Sequence, residues 1–173
     1  MSETNTAAVT ELCPACGLCC NGVLFGDVEL QPGDDAKRLS ALGLPLERKG
    51  RKWRAAQPCA CFNGKLCRIY EQRPIRCRTF ECGLLKRAQA GEIEVAAALR
   101  AIKQARRHAE AVRKLLVQLG ETDERLPLNR RYANVMAEPI DLAGDERIVE
   151  LRGELMLAVH RLVQVLERDF LQV

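Results

Sequence analysis

The amino-acid sequence predicts a mainly α-helical protein: a loop-rich, cysteine-rich N-terminal module with short strands, then a C-terminal antiparallel helical hairpin. Two long stretches after residue 90 carry apolar residues at steps of three and four, the period of an amphipathic helix. Before residue 90 the apolar runs are short and interrupted by Pro and Gly, and all nine cysteines lie there. We therefore predict a flexible tail over residues 1–12, a cysteine-cluster module over 13–90 and a helical hairpin over 91–173.

Short elements are predicted between the two groups of cysteines. Residues 23–30 favour two strands around a Gly-Asp turn. Asp34 can cap a short helix over residues 36–42, which a glycine ends. The basic segment 48–54 leads into a strand around Trp53. The second group of cysteines therefore follows a strand directly and lies in loop-rich structure.

The second half of the chain is predicted to be helical. Pro74 suits the first turn of a helix that carries Cys77, because a proline lacks the N–H that would be unpaired there. A long amphipathic helix follows over residues 92–119, then a connecting loop over 121–144 and a last helix over 145–170. Two apolar stripes joined by a loop are typical of an antiparallel hairpin.

The many cysteines can form disulfides or bind a metal, and the cellular compartment decides between these. Residues 1–12 are polar and have neither the basic start nor the apolar run of a signal peptide. No stretch reaches the roughly 18–20 continuous apolar residues that span a bilayer. We therefore expect a cytoplasmic protein with no membrane partner, in a compartment that keeps thiols reduced. Nine is also an odd number, which fits a closed set of disulfides poorly. The sequence thus predicts metal-binding thiolates.

The first cysteine group has the spacing of a metal-binding knuckle. In Cys13-Pro-Ala-Cys16-Gly, two thiolates on one tight turn can point at one ion, and the glycine can turn backbone N–H groups towards sulfur. Cys19 and Cys20 are adjacent, and neighbouring side chains diverge on most backbones. These two thiols can therefore serve one ion, serve two ions, or leave one thiol free.

The last two cysteines, Cys77 and Cys82, stand five residues apart, which is beyond the i, i+4 face of a helix. A helix end or kink near Cys82 is needed if both are to bind one centre. Arg73 and Arg78 flank Cys77. Their guanidinium groups can lie beside ligated thiolates and adjust the charge there, or they can form ordinary ion pairs with the nearby glutamates.

These two motifs, C-x2-C-G-x-C-C at residues 13–20 and the run from Cys67 to Cys82, resemble the CxxCxxCC cysteine-cluster family, a zinc- or iron-chelating domain of bacterial proteins. The resemblance covers residues 13–85, and the helical C-terminal half carries no motif that matches. It implies eight metal ligands: Cys13, Cys16, Cys19, Cys20, Cys59, Cys67, Cys77 and Cys82. Cys61 is a ninth thiol, and either it or Cys59 can take the family's position.

Two metals fit this pattern, with zinc slightly preferred to iron. Cys-Pro-x-Cys-Gly is half of a common tetrahedral Cys₄ zinc site. Cys13, Cys16 and Cys19 also reproduce the C-x2-C-x2-C start of an iron–sulfur run, but Cys20 replaces its usual x3-Cys-Pro continuation. Zn²⁺, iron and an iron–sulfur cluster all remain open at this point.

Three functional classes follow from these observations. The sequence favours metal binding with a structural, chelating or interaction role, and the absence of catalytic motifs disfavours an enzyme. An iron–sulfur protein that carries electrons or supports an enzyme is the alternative. Residues 48–114 hold 18 Lys and Arg against 5 Asp and Glu, so a nucleic-acid-binding module is a second alternative, although we expect these cations mainly to offset thiolate charge. His108 and His160 are predicted to pack on helices and not to bind metal.

Overall fold

The structure, a computed structural model, describes residues 3–139 and 145–172, and its two long helices lie in the C-terminal half. Helices make up 56% of the structure, against about a third in an average globular domain, which confirms the predicted mainly α class. The elements are α1 (Glu3–Cys16), β1 (Asp27–Glu29), α2 (Ala36–Ala41), β2 (Leu46–Lys49), β3 (Lys52–Ala56), a 3-10 turn (Tyr70–Gln72), α3 (Ile75–Thr79), α4 (Gly83–Gln89), α5 (Val95–Gln118), α6 (Leu128–Ala137), α7 (Glu146–Leu166) and a π-helical turn (Glu167–Leu171).

Helices α5 and α7 form the predicted antiparallel hairpin. Gln104 accepts a hydrogen bond from Arg168 at 3.4 Å, and His108, one turn further along α5, lies near Arg161, earlier in α7. The two helices therefore run in opposite directions. Their facing stripes are buried, and they consist of Ala98, Ile102, Ala105, Ala109, Val112 and Leu116 on α5 and Leu151, Leu155, Ala158, Leu162 and Val165 on α7. Burying these stripes out of water supplies much of the main core.

The structure differs from the sequence prediction at the N-terminus. The chain is helical from Glu3 to Cys16, where we expected a flexible tail over residues 1–12. The physical reason is packing: Leu12 is 3% exposed, and α1 lies against α4 and α5. Arg106 of α5 donates a hydrogen bond to the carbonyl of Ala15 at 2.8 Å, which satisfies one of the unpaired carbonyls at the end of α1.

A second difference lies in the expected loop over residues 121–144. Helix α6 forms within it, with Leu128, Arg131 and Val135 buried on one face. Pro127 directly precedes α6 and Pro139 follows it closely. The remaining part of the predicted loop, residues 140–144, lies outside the described residues.

The single helix expected from Pro74 onwards is divided into α3 and α4. Cys82 lies at the start of α4, so it does not share a continuous helix with Cys77. Gly83 follows it and is buried, and a Cβ atom there would overlap the backbone carbonyl of Gln172. Arg87 of α4 also forms an ion pair with Asp169 at 3.5 Å. Helix α4 therefore connects the cysteine region with the segment after α7.

A small antiparallel sheet with strand order β1–β3–β2 carries a second core. Val28 and Leu46 both lie opposite Ala55 of the central strand. The buried members of this core are Leu39, Leu44, Ala55, Cys61 and Ile69. A strand at Trp53 was predicted, and β3 confirms it. Of the two strands predicted over 23–30, the sheet contains β1 alone.

The basic segment beside this sheet is paired with acidic residues of β1. Arg54 donates to Asp27 at 2.9 Å and to Glu29 at 2.8 Å. Lys49 forms an ion pair with Asp27 at 3.3 Å, and Lys52 pairs with Glu29. These contacts favour charge compensation within the protein as the role of this segment. Across the part of the chain that the structure describes, no helix has the length and apolar character needed to cross a membrane.

Candidate metal centre

All nine cysteines are free thiols, and they lie at the ends of helices or in the loops that connect them. Cys13 and Cys16 occupy the last turn of α1, and Cys19 and Cys20 lie in the turn that follows. Cys77 lies in α3 and Cys82 at the start of α4. The other three, Cys59, Cys61 and Cys67, belong to the loop between β3 and the 3-10 turn.

Gly17 produces the turn that brings the first cysteines together. Its φ is +66°, which a glycine adopts without strain. Its N–H donates to the carbonyl of Cys13 at 3.2 Å, and its carbonyl accepts from the N–H of Cys20 at 3.0 Å. This arrangement ends α1 and folds Cys19 and Cys20 back against the helix end. The knuckle geometry predicted from Cys-Pro-Ala-Cys-Gly therefore has a structural basis in this turn.

We call four of these thiols the first set, because each lies within electrostatic reach of others in the group: Cys13, Cys16, Cys19 and Cys82. The pKa of Cys16 is raised to about 12, chiefly by burial; a hydrogen bond from the Leu18 backbone opposes this shift, and the charges of Cys82 and Cys13 contribute to it. Burial is also the largest cause of the raised pKa of Cys19. The charges of Cys16, Cys20, Cys82 and Cys13 raise this pKa as well, in that order. The pKa of Cys82 is raised by burial, while the amides of Leu85 and Leu84 oppose the shift.

The second set contains the thiols that lie near Cys20, namely Cys20, Cys59, Cys67 and Cys77. The pKa of Cys20 is raised to about 12. Burial is the largest cause, and the charges of Cys59, Cys77 and Cys67 contribute in that order. Burial raises the pKa of Cys77 to about 11, followed by the charge of Cys59. The backbone supports this grouping, since the N–H of Cys59 donates to the carbonyl of Cys20 at 2.8 Å. A β-bridge between Phe62 and Cys67 closes the loop that carries the set.

Cys61 contacts two members of the second set, since its side chain is hydrogen-bonded to Cys59 and interacts with Cys67, but it belongs to the core under the small sheet. Its side chain is fully buried, at 0% exposure, among Leu39, Leu44 and Ile69. Its neighbour Cys59 packs only at the edge of that core. Among the thiolates, Cys59 also raises the pKa of Cys20 and of Cys77 most strongly. The position that the sequence left open between these two cysteines is therefore filled more naturally by Cys59.

Arg73 is a cation that lies within electrostatic reach of both sets. Its guanidinium lowers the pKa of Cys13 in the first set and of Cys20 and Cys77 in the second, against the larger upward effect of burial in each case. It stacks on the ring of Tyr70 at 3.6 Å from the centroid, and its Nε donates to the Tyr70 carbonyl at 2.7 Å. These contacts fix the guanidinium beside the thiols, as one of the two sequence interpretations proposed.

Asp34 is a residue whose role the sequence did not reveal. We expected it to cap α2, but Asp35 does so by accepting from the N–H of Arg38 at 3.0 Å. Asp34 instead accepts from the N–H of Gln31 and from the N–H of Ile75, both at 2.8 Å. It thereby holds the first turn of α3, the helix that carries Cys77. A contact over such a sequence distance leaves no local pattern by which it could have been found.

A cleft of about 290 Å³ opens beside Cys59, and its lining includes Phe62, Gly64 and Arg113. It gives solvent and small ions access to this edge of the second set. Within residues 3–139 and 145–172, no three His, Cys, Asp or Glu side chains already surround a common point that could hold a metal ion. The sulfurs of each set therefore have to move closer together for ligation. In chemical terms, a donor set of reduced thiols suits zinc or iron.

A family model named CxxCxxCC, described as a "putative zinc- or iron-chelating domain", matches residues 12–107, which is more than half of the chain. The match begins one residue before Cys13 and ends within α5, so it includes every cysteine. No curated protein and no solved structure matches the chain significantly.

Proposed function

Because the chain belongs to the CxxCxxCC family of zinc- or iron-chelating domains, we propose that it binds metal through cysteine thiolates alone. The ligands are the eight thiols of the two sets, and the bound metal has a structural, chelating or interaction role. One observation carries this proposal. Thiols from separate segments of the chain are gathered into mutually interacting groups, one around Cys19 and one around Cys20. Cys61 also interacts with Cys59 and Cys67, but its side chain is fully buried in an apolar core.

Ionising so many neighbouring, partly buried thiols is unfavourable unless a cation stabilises the thiolates. Burial and mutual repulsion raise the pKa of most of them, so at neutral pH the metal-free protein holds these groups protonated. A bound cation reverses this, because thiolate is the form that ligates metal. Structural thiolate sites also contribute their binding free energy directly to folding. A metal would thus join the ends of α1, α3 and α4, which are short or terminal elements.

Zinc is the preferred ion, in a bacterial cytoplasm that keeps the thiols reduced. The Cys-Pro-x-Cys-Gly turn and the all-thiolate donor set favour a closed tetrahedral site. An iron–sulfur centre that carries electrons or supports an enzyme is the alternative, since Cys13, Cys16 and Cys19 have the spacing that begins such a site. These candidates differ in colour and in their content of sulfide.

Anaerobic purification followed by a visible spectrum and elemental analysis tests the proposal. Zinc gives a colourless protein, whereas iron with acid-labile sulfide and a brown colour selects the alternative. Cys16→Ser should lose metal and Cys61→Ser should keep it, and each of Cys13, Cys67 and Cys77 should also be indispensable. A protein that holds neither zinc nor iron, or full metal content in Cys16→Ser, would overturn the proposal.

A further inference from the structure

We infer that the eight thiols form two separate four-thiolate centres, the first set and the second set, and that the peptide bond between Cys19 and Cys20 divides them. This inference rests on the proposed function and adds the partition of the ligands and the number of centres. Four thiolates are the full ligand set of a tetrahedral zinc site and of a Cys₄ iron–sulfur cluster. Each set therefore contains a complete complement of ligands without borrowing from the other.

The first set is organised by the main core. Helices α1 and α4 pack on each other, and Leu12 of α1 and Leu84 of α4 are both buried in that core. Cys16 and Cys82 also pack against it, from the end of α1 and from the start of α4. These contacts direct the two helix ends, and the thiols they carry, towards the same region.

The second set is organised by the small sheet and its own core. Cys59 and Cys67 both pack against that core, which contains the buried Cys61. Cys77 approaches from α3, whose first turn is held by Asp34 from the segment before α2. Cys20 is joined to this group by the hydrogen bond from the N–H of Cys59 at 2.8 Å. Nothing in this arrangement requires a ligand from α1 or α4.

The adjacent pair Cys19 and Cys20 belongs to both regions and marks the boundary between them. Apart from its chain neighbour Cys20, Cys19 has Cys16, Cys82 and Cys13 around it, all members of the first set. Cys20 has Cys59, Cys77 and Cys67 around it, all members of the second. Cys20 also acts on Cys19, less strongly than Cys16 and more strongly than Cys82 and Cys13, so the two sets are adjacent at this pair. Cys19 and Cys20 each have three partners in a different set. Because these two residues are adjacent in the chain, the two proposed centres lie side by side.

Cadmium-113 NMR of the full chain reconstituted with cadmium alone tests the partition, because soft thiolates bind this ion and each site gives its own resonance. We expect two resonances and about two ions per chain, as four-ligand sites require. Cys19→Ser and Cys82→Ser should both remove one resonance and halve the bound metal. Cys20→Ser and Cys77→Ser should both remove the other resonance.

A circular dichroism spectrum dominated by α5 and α7 provides the check that each variant still folds, and the paired variants give two independent readings for each centre. One ion per chain in the unmodified protein, or loss of the same resonance in Cys19→Ser and Cys20→Ser, would overturn the partition and leave thiolate metal binding intact. If the unmodified protein binds no metal at all, both the partition and the proposed function fail.

Discussion

The backbone N–H of Cys59 donates a hydrogen bond of 2.8 Å to the carbonyl of Cys20 and so joins the two cysteine-rich segments of the chain. This bond joins two backbone groups and involves no thiol. Backbone contacts therefore contribute to the approach of the two segments, together with whatever the side chains add.

The pH dependence of stability should reverse when metal is removed. In the metal-free protein, burial raises the pKa of Cys16 and Cys20 from 9.0 to about 12 and that of Cys59 and Cys77 to about 11. The unfolded chain ionises first, so stability should be constant below the ordinary thiol pKa and fall as pH rises above about 9. The metal-loaded protein should instead lose metal and stability as pH falls, because protons compete for the thiolates. Urea midpoints measured with and without a chelator check both trends, and a metal-free midpoint unchanged across the alkaline range would contradict the first.

Replacing Asp34 with Ala should weaken the second set through α3. The variant loses the acceptor for the N–H groups of Gln31 and Ile75, which we expect to cost about 1–2 kcal/mol, as for a helix cap. Asp34→Asn keeps an acceptor oxygen, so it should lose less stability and less metal than Asp34→Ala. Asp35→Ala is the matched control, because it removes a cap of similar geometry from α2. Chelator competition should show weaker metal retention in Asp34→Ala only. Equal effects of the two alanine variants would mean that α3 does not depend on this contact.

Replacing Arg73 with Gln should weaken metal binding at both sets. The guanidinium attracts the thiolates of Cys13, Cys20 and Cys77, and its removal leaves their charge less compensated. Changes beside a metal site typically lower affinity by about 10-fold or more. Arg78→Gln is the control, since Arg78 also flanks Cys77 but is exposed in α3. Metal affinity measured by competition with a coloured chelator should separate the two variants. If both variants lost metal affinity equally, the net charge of the protein would explain the effect and the position of Arg73 would not.

Truncating Leu155 to Ala should destabilise the hairpin by about 2–5 kcal/mol, the usual result for a buried leucine that leaves a cavity. Its side chain is 0% exposed between α7 and α5. Leu157→Ala on the same helix removes the same atoms from a side chain that is 57% exposed, and its unfolding midpoint should hardly change. Chemical denaturation of both variants with metal present measures the difference. Similar losses would contradict the orientation of α7.

The sequence was most informative where structure is periodic and local. The long stripes of α5 and α7 predicted the hairpin, whereas the single helix expected from Pro74 onwards is divided into α3 and α4. Helix α1 was missed because its stability comes from packing on α4 and α5 and it carries no apolar stripe of its own. Helix α6 was missed because it is short and lies between two prolines.

The grouping of the thiols lay beyond sequence reasoning for a different reason. Which cysteine neighbours which depends on contacts such as Cys59 with Cys20 and Asp34 with Ile75, between residues far apart in the chain. Motif spacing and the family resemblance indicated the candidate ligands, but they could not say which of the other thiols lie near Cys19 and which near Cys20. Ligation by the eight cysteines remains a prediction that the metal analyses test.

Gly83 places the start of α4 directly against the backbone of Gln172, one residue after the thiol of Cys82. A glycine has no side chain that can rotate away, so any displacement of Cys82 towards an ion must be accommodated by the segment after α7. The end of the described chain is therefore a natural reporter position. A small environment-sensitive fluorophore attached there would register the arrival of metal at the first set while every thiol stays unmodified.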